Sequence, residues 1–324
     1  MPIVSVIVPV RNRRALVRRC LDALAAQTLS DHEVVVVDDG STDGSGAEAE
    51  ADTADGRPVR VLRTPGVGAV AARRLGVRAA HAPVLAFTDS DCVPVETWLA
   101  SGVTAIRSGA AVASGPTWPA RHAGPLERTL ASDGRDGLFA TCNVFYDRTA
   151  YDRVGGFDPA AGSALGFRPG RTLRGTGFGE DTLLAWRVQR AGGRAELVPD
   201  AVVHHHVFAS DAVDALRRAW SAGAFPALVR TVPELRDTFL VDKLFLGTRT
   251  RIGLYLGSAA ALFGRRRAGA IGLAAWALPR AYRAASAETS RRRALWSVPA
   301  DLAVDAVTGA ALVAGSVRHR SVVL

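Results

Sequence analysis

Apolar, β-favouring runs alternate with helical periodicity through the first ninety or so residues. Residues 3–10 (IVSVIVPV) form a β-rich run, and Arg11-Asn12-Arg13-Arg14 closes it. Leu16, Cys20, Leu21, Leu24 and Ala25 then recur at helical spacing, which predicts a helix with one apolar face. Residues 33–37 (EVVVV) read as a strand buried on both faces, as strands of parallel sheets are. A turn-and-cap cluster from Asp38 to Ser45 ends it. A short helix, a strand over 59–62, a helix over 66–80 and a strand over 84–88 continue the series. This βαβαβαβ alternation predicts an α/β fold with a parallel sheet. Three strand ends carry polar clusters: Arg11-Asn12, Asp38-Asp39 and Asp89-Ser90-Asp91. Parallel strands bring such ends to one edge, where open α/β sheets bind ligands.

Past Asp91 the periodicity weakens. The pattern predicts a helix over 96–106, a strand over 111–114 and an irregular stretch over 120–138. A strand over 141–146 follows, with Asn143 in it, then a helical turn over 148–154 that stops at Gly155-Gly156-Phe157-Asp158. Residues 159–178, rich in Gly and Arg, read as a mobile loop. Gly179-Glu180-Asp181 opens a helix over 182–191; the helix dipole favours acids there, so a plain capping role stays open for both. One strand over 195–203 is expected to lead into His204-His205-His206. Trp98, Trp118 and Trp186 read as packing residues, with Trp118, between Pro116 and Pro119 in an expected loop, the best exception.

Charge separates the last part of the chain from the rest. Residues 241–324 hold 13 basic and 4 acidic residues and so carry the whole net charge of +9, while the first 240 residues hold 27 of each sign. The main domain therefore lacks the basic excess of a nucleic-acid binder. Apolar runs at 252–263 and 268–278 flank Gly264-Arg265-Arg266-Arg267, and each is shorter than the ~20 residues a spanning helix needs. Arg291-Arg292-Arg293 and the stretch 294–317 repeat the theme, which predicts membrane-surface contact through 241–324. An ordinary helical subdomain is the alternative. The N-terminal run reads as a first strand and not as a leader. Three cysteines without a CxxC spacing argue against a disulfide framework or a cysteine zinc site and favour a reducing compartment.

Two motifs suggest chemistry. Asp89 and Asp91 end a strand one residue apart, and their oxygens suit a hard divalent cation that also holds phosphate. They also suit a strand cap and turn. Gly66-Val67-Gly68-Ala69-Val70-Ala71 fits GxGxxA, but Arg63-Thr64-Pro65 separates it from the strand and the unit is the third βα, so a dinucleotide fingerprint is a poor fit.

The order and spacing of several pieces together resemble family 2 glycosyltransferases of the GT-A fold. The pieces are SVIVPVRNR (5–13), VVVVDDGSTDGS (34–45), GVGAVAARRLGVRAA (66–80), VLAFTDSDCVP (84–94), NVFYDR through VGGFD (143–158), GEDTLLAWRVQRAGGR (179–194) and PDAVVHHH (199–206). The resemblance covers residues 3–210. Ala72-Arg73-Arg74 departs from the family's usual Ala-Arg-Asn, and the loop before Glu180 is longer than usual, which leaves acceptor recognition least secured.

The resemblance implies a Rossmann-like, mixed but mostly parallel sheet with flanking helices over 1–210. Within it, 1–95 would be the nucleotide-binding half, 96–210 the acceptor and catalytic half, and 211–324 a helical basic extension. It implies transfer of a sugar from a nucleotide-diphosphate sugar to an acceptor hydroxyl, with inversion. Asp39 would meet the base, Pro9 and Arg11 would line its pocket, and Arg73 would face phosphate. Asp89 would serve ribose and metal, with Ser90 beside it, and Asp91 would be the direct ligand of Mg2+ or Mn2+. Asp181 would be the general base, with Glu180 adjacent. His205 matches a position that supplies a further metal or phosphate contact, and His204 and His206 stay open. The implied partners are a UDP- or GDP-sugar donor and a glycan or lipid-linked acceptor of the cell envelope, at the cytoplasmic face of a membrane. A nucleotidyltransferase and a catalytically silent membrane-associated scaffold are the alternatives; the Gly-Glu-Asp helix and the GGFD run favour glycosyl transfer over the former.

Overall fold

The computed structural model describes residues 1–54, 59–124, 126–165, 178–247, 249–286 and 291–324. Most of the predicted 159–178 loop lies outside them. The chain divides into two units, Met1–Arg121 with Thr129–His206, and His122–Arg128 with Val207–Leu324.

The first unit begins with β1 (Val4–Val10), α1 (Arg14–Ala25), β2 (His32–Asp39), α2 (Ser45–Ala54), β3 (Val59–Thr64), α3 (Ala69–Ala79) and β4 (Val84–Phe87). There follow β5 (Cys92–Pro94), α4 (Trp98–Arg107), β6 (Val112–Ser114), β7 (Thr117–Pro119), β8 (Val144–Asp147), α5 (Arg148–Arg153), α6 (Ala161–Ala164), α7 (Glu180–Arg190), β9 (Ala195–Leu197) and β10 (Val203–His205). Seven strands form one sheet in the order β3-β2-β1-β4-β8-β6-β9. The β3, β2, β1 and β4 strands run parallel, β8 is antiparallel to both β4 and β6, and β6 and β9 are parallel. This is the mixed, mostly parallel sheet with flanking helices that the resemblance implied; the alternation predicted its parallel part.

Side chains alternate across this sheet because the strand period is two. Val4, Val6, Val8, Val34, Val36 and Phe145 pack on one face against α1 and α4. Ile7, Val35, Val37, Leu85, Phe87 and Tyr146 pack on the other against α3 and α7. Both faces are covered, so the strands read as continuous valine runs.

A second sheet of three strands, β5-β10-β7, was not foreseen. The single strand expected over 195–203 is two strands in two sheets, β9 beside β6 and β10 beside β5 and β7. Val198-Pro199-Asp200 turns the chain between them, closed by the Ala201 N–H donating to the Val198 carbonyl. Proline cannot donate to a ladder, so the break falls there. Trp118 sits in β7 rather than in a loop, opposite His204 and 43% exposed. Asn143 joins this region together: its Oδ1 accepts from Trp98 Nε1 at 2.8 Å, and its Nδ2 donates to the carbonyls of Pro116 and Ala201.

The second unit is helical: α8 (Ala212–Ser221), α9 (Phe225–Thr231), α10 (Leu235–Thr238), α11 (Arg249–Leu262), α12 (Arg266–Ser286) and α13 (Arg291–His319). Asp211 caps α8 by accepting from the Asp214 N–H. Within this unit α13 packs against α8, α9 and α12, and α11 against α12.

Candidate active site

The parallel register aligns Val10 with Asp38 and Ile7 with Phe87, so β1, β2 and β4 end on one edge. Pairing between β1 and β4 stops at Ile7–Phe87. Pro9 therefore lies beyond that ladder, where its missing N–H costs nothing. The two strands part there, and Asp89, Ser90 and Asp91 follow directly from β4.

Asp39, at the end of β2, is 4% exposed. Its Oδ1 accepts from Thr64 Oγ1 at 2.5 Å and from the Val67 N–H at 2.6 Å, and its Oδ2 accepts from the Gly68 N–H at 2.9 Å. Arg11, largely exposed, stands 3.7 Å from the same Oδ2. The glycine-loop N–H groups of the GxGxxA stretch thus face a carboxylate of the protein and not a ligand anion. A carboxylate offers about four acceptor sites, so Oδ2 keeps capacity for one further N–H. Its neighbour Asp38 is structural, accepting from the Ser41 N–H within the turn.

Arg73, on α3, is 5% exposed and lies between two acids. Its Nη2 donates to Asp89 Oδ1 at 2.6 Å, and its Nη1 lies 3.7 Å from Glu180 Oε1. Burial alone would lower the guanidinium pKa; the charges of Asp89 and Glu180 outweigh it and raise it. Arg73 is engaged by carboxylates rather than exposed to solvent. Its Nε and the Glu180 Oε2 are both buried without a hydrogen-bond partner, and such orphans mark a polar network open to another group.

Helix α7 begins at Glu180 after Gly179, whose φ of +74 suits glycine. No side chain caps it at Gly179; Asp181 Oδ1 instead accepts from the Thr182 N–H at 2.8 Å. Thr182 Oγ1 and Trp186 Nε1 donate to the carbonyls of Leu138 and Gly137, fixing the helix start. Asp181 is half-buried. Desolvation pushes its carboxyl up to about 7, neighbouring Glu180 adds repulsion, and the Thr182 N–H and Arg73 oppose the rise. A carboxyl poised there suits proton transfer near neutral pH. Tyr146, beneath, has a buried hydroxyl with no partner.

Antiparallel pairing of β10 with β5 sets His205 opposite Cys92, and the His206 N–H donates to the Asp91 carbonyl. Asp91, Cys92 and His205 place one donor atom each within 4.8 Å of one another. His205 Nδ1 lies 2.7 Å from the His206 carbonyl oxygen, which only accepts, so Nδ1 carries the proton. That leaves Nε2 on the side of Asp91 Oδ1, 3.7 Å away. A carboxylate oxygen and an imidazole nitrogen at that separation suit a cation between them, and a backbone carbonyl fixing the far nitrogen is the usual support of a metal-binding histidine. The Cys92 thiol is held in its protonated form, its pKa raised by the Cys142 contact and by burial, so it is a poor ligand. Carboxylate with imidazole fits Mn2+ better than the all-oxygen shell of Mg2+. Asp89 is not among these three; its Oδ1 accepts from Arg73.

Other supports were not read from the sequence. The Cys20 thiol, from α1, donates to the Asp89 carbonyl at 3.7 Å. Gln27 donates to the Val95 carbonyl and accepts from the Leu99 N–H, bracing the chain after Asp91. Arg187 donates to the carbonyls of Val154 and Gly156, and Arg74 to that of Phe157, which fixes the Gly155-Gly156-Phe157 turn.

A sheet of this order with acids at the ends of β2 and β4 defines the GT-A class of fold. Residues 5–160 match the glycosyl transferase family 2. A stretch of 109 residues, 33% of this chain, is 40% identical to the glycosyltransferase AglE of Haloferax volcanii, and one of 91 residues, 28% of this chain, is 38% identical to the uncharacterized glycosyltransferase EpsJ of Bacillus subtilis. These stretches span 36% and 26% of the relatives' own lengths. A solved mannosyltransferase, PcManGT from Pyrobaculum calidifontis in complex with GDP-Man and Mn2+, superposes with a TM-score of 0.57 at 21% identity, covering 98% of this chain and 87% of its own. That likeness establishes the shared fold.

Proposed function

We propose that the protein is an inverting glycosyltransferase that moves a sugar from a nucleotide-diphosphate sugar to an acceptor hydroxyl. The observation that carries this reading is the convergence of Asp39, Asp91 with His205, and Asp181 from separate elements of one domain. Asp39 Oδ2 keeps an acceptor site for a ring N–H of guanine or uracil, Arg11 stands beside it, and Pro9 pairs with Val37 earlier in the same strand. Asp91 and His205 would hold the divalent cation, Mn2+ before Mg2+, with Asp89 and Ser90 close by at the donor. When bound, such an ion neutralises charge on a departing diphosphate. Asp181 accepts the proton of the acceptor hydroxyl as that oxygen attacks the anomeric carbon from the face opposite the diphosphate. Its raised pKa gives it affinity for that proton. Glu180 and Arg73 hold the charge balance beside it.

A GDP-sugar is the first donor to try, because the solved mannosyltransferase of the same fold is recorded with GDP-Man and Mn2+. The acceptor class in this reading is a cell-envelope glycan, polysaccharide or glycolipid at the cytoplasmic face, where the free buried thiols of Cys20, Cys92 and Cys142 stay reduced. The test is a panel of GDP- and UDP-sugars with Mn2+, read by thermal shift and by release of nucleoside diphosphate. One donor should raise the melting temperature only with metal present and should turn over. Absence of both effects across the panel would overturn the assignment.

A further inference from the structure

The helical unit leaves an apolar surface uncovered, and its charges define what covers it. In the α11–α12 hairpin, Leu262 and Phe263 at the tip are 86% and 85% exposed, and Ile271 and Leu278 along α12 are 70% and 67% exposed. No charged residue interrupts α12 between Arg267 and Arg280. The two helices touch backbone to backbone through glycines: a Cβ on Gly272 would lie 2.5 Å from the Gly253 carbonyl oxygen and 2.6 Å from the Gly257 Cα. Small-residue contacts of this kind let helices associate without using their large apolar side chains on each other. Those side chains are left on the outside.

Charges bound the hairpin at both ends. At its base, Arg251 Nε and Arg280 Nη2 donate to the buried carboxylate of Asp305 at 2.6 and 2.8 Å, and Trp276 Nε1 donates to the same group at 2.9 Å. At its tip stand Arg265, Arg266 and Arg267, all exposed. The twelve residues between Arg267 and Arg280 rise only about 18 Å as helix, short of the ~30 Å hydrocarbon core. The hairpin therefore does not span a bilayer, but an in-plane apolar face edged by guanidinium groups suits its surface. The stretch Ser297–His319 of α13 is long and apolar enough to cross a membrane. Yet Asp305 lies within it and is the buried hub of the three-helix contact, so that helix face is packed against protein.

We propose that the outer face of the α11–α12 hairpin docks in-plane on an anionic lipid surface. Leu262, Phe263 and Ile271 enter the headgroup–acyl boundary while Arg265, Arg266 and Arg267 meet lipid phosphates. A second copy of the chain is a poorer occupant, since an isologous contact centred on the tip would set one arginine triplet against the other. The surface belongs to the helical unit and shares no residue with the proposed sugar-transfer site, so the assignment does not depend on that chemistry.

The test is co-sedimentation of the full chain with phosphatidylcholine vesicles, with and without phosphatidylglycerol. Binding is expected with phosphatidylglycerol only, and it should weaken as salt rises. At about one order of magnitude or less per arginine near an anionic surface, R265Q/R266Q/R267Q should weaken partitioning on the order of 100-fold. L262S/F263S should weaken it as well, and Val317→Ser on α13 should not. These positions are exposed, and circular dichroism checks that each variant is folded. Equal binding to uncharged vesicles, no binding at all, loss only with Val317→Ser, or a dimer abolished by L262S/F263S would each overturn the proposal.

Discussion

Replacing Arg73 with methionine tests the electrostatic frame of the site. Methionine fills much of the space of the arginine stem but removes the guanidinium. Arg73 and Glu180 are 5% and 6% exposed, and Arg73 also binds Asp89 at 2.6 Å. Removing one partner of a buried pair costs ~3–5 kcal/mol. Asp89 retains 28% side-chain exposure, so water recovers part of the loss and the lower end, about 3 kcal/mol, is expected. For a unit the size of Met1–Arg121 with Thr129–His206 that lowers the melting temperature by roughly 6–12 °C. The loss should depend on pH. Arg73 holds the Asp181 pKa down against burial and Glu180; without it, that carboxyl rises further above its unfolded value. A folded state that binds more protons than the unfolded one loses stability as pH rises. The R73M deficit should therefore be larger at pH 8 than at pH 5. Urea unfolding at both pH values measures it. A deficit under ~1 kcal/mol, the range of an exposed ion pair, or one equal at the two pH values, would refute the buried-bridge reasoning.

Other consequences are as direct. Asp181 must be ionised to accept a proton, so kcat/KM should fall as pH drops through about 7, its raised value; a flat profile from pH 5 to 8 would argue against it. The same group stabilises the fold less as pH rises from its unfolded value near 4 toward 7, so Asp181→Asn should melt higher than wild type at pH 8 and equally at pH 4. His205→Gln should weaken the Mn2+-dependent rise in melting temperature by at least ~10-fold in metal concentration, measured with metal alone and without donor. Asn143→Ala leaves Trp98 Nε1 and the Ala201 carbonyl unpaired, while the Pro116 carbonyl keeps the Val203 N–H. At ~1–3 kcal/mol per orphaned group, relieved in part by water, a loss of about 3 kcal/mol is expected by calorimetry.

The parallel half of the fold was legible because its strands are buried on both faces. Ile3 to Val10 and Val34 to Val37 are apolar runs long enough to carry a period-free signal, bounded by turn residues. Strands β5, β6 and β7 have three residues each, too few to display any period, and two of them were missed. Pro199 held the clue that separates β9 from β10, but a proline inside a β-rich run also suits an edge strand. Site chemistry was legible where it is local, as in Asp89-Ser90-Asp91 and Gly179-Glu180-Asp181. It was not legible where strand pairing across the second sheet creates it. The meeting of Asp91 with His205, which the resemblance alone implied, and the burial of Arg73 between Asp89 and Glu180 arise from register and helix docking that no spacing along the chain records.

The central claim is that Asp181 removes the acceptor proton while other residues bind the donor. Asp181→Asn separates the two. With the donor selected by the panel and Mn2+ present, donor affinity by calorimetry should match wild type, while transfer to acceptor should fall by roughly 100-fold or more, the usual worth of a general base. Transfer by the D181N variant at the wild-type rate would contradict the account.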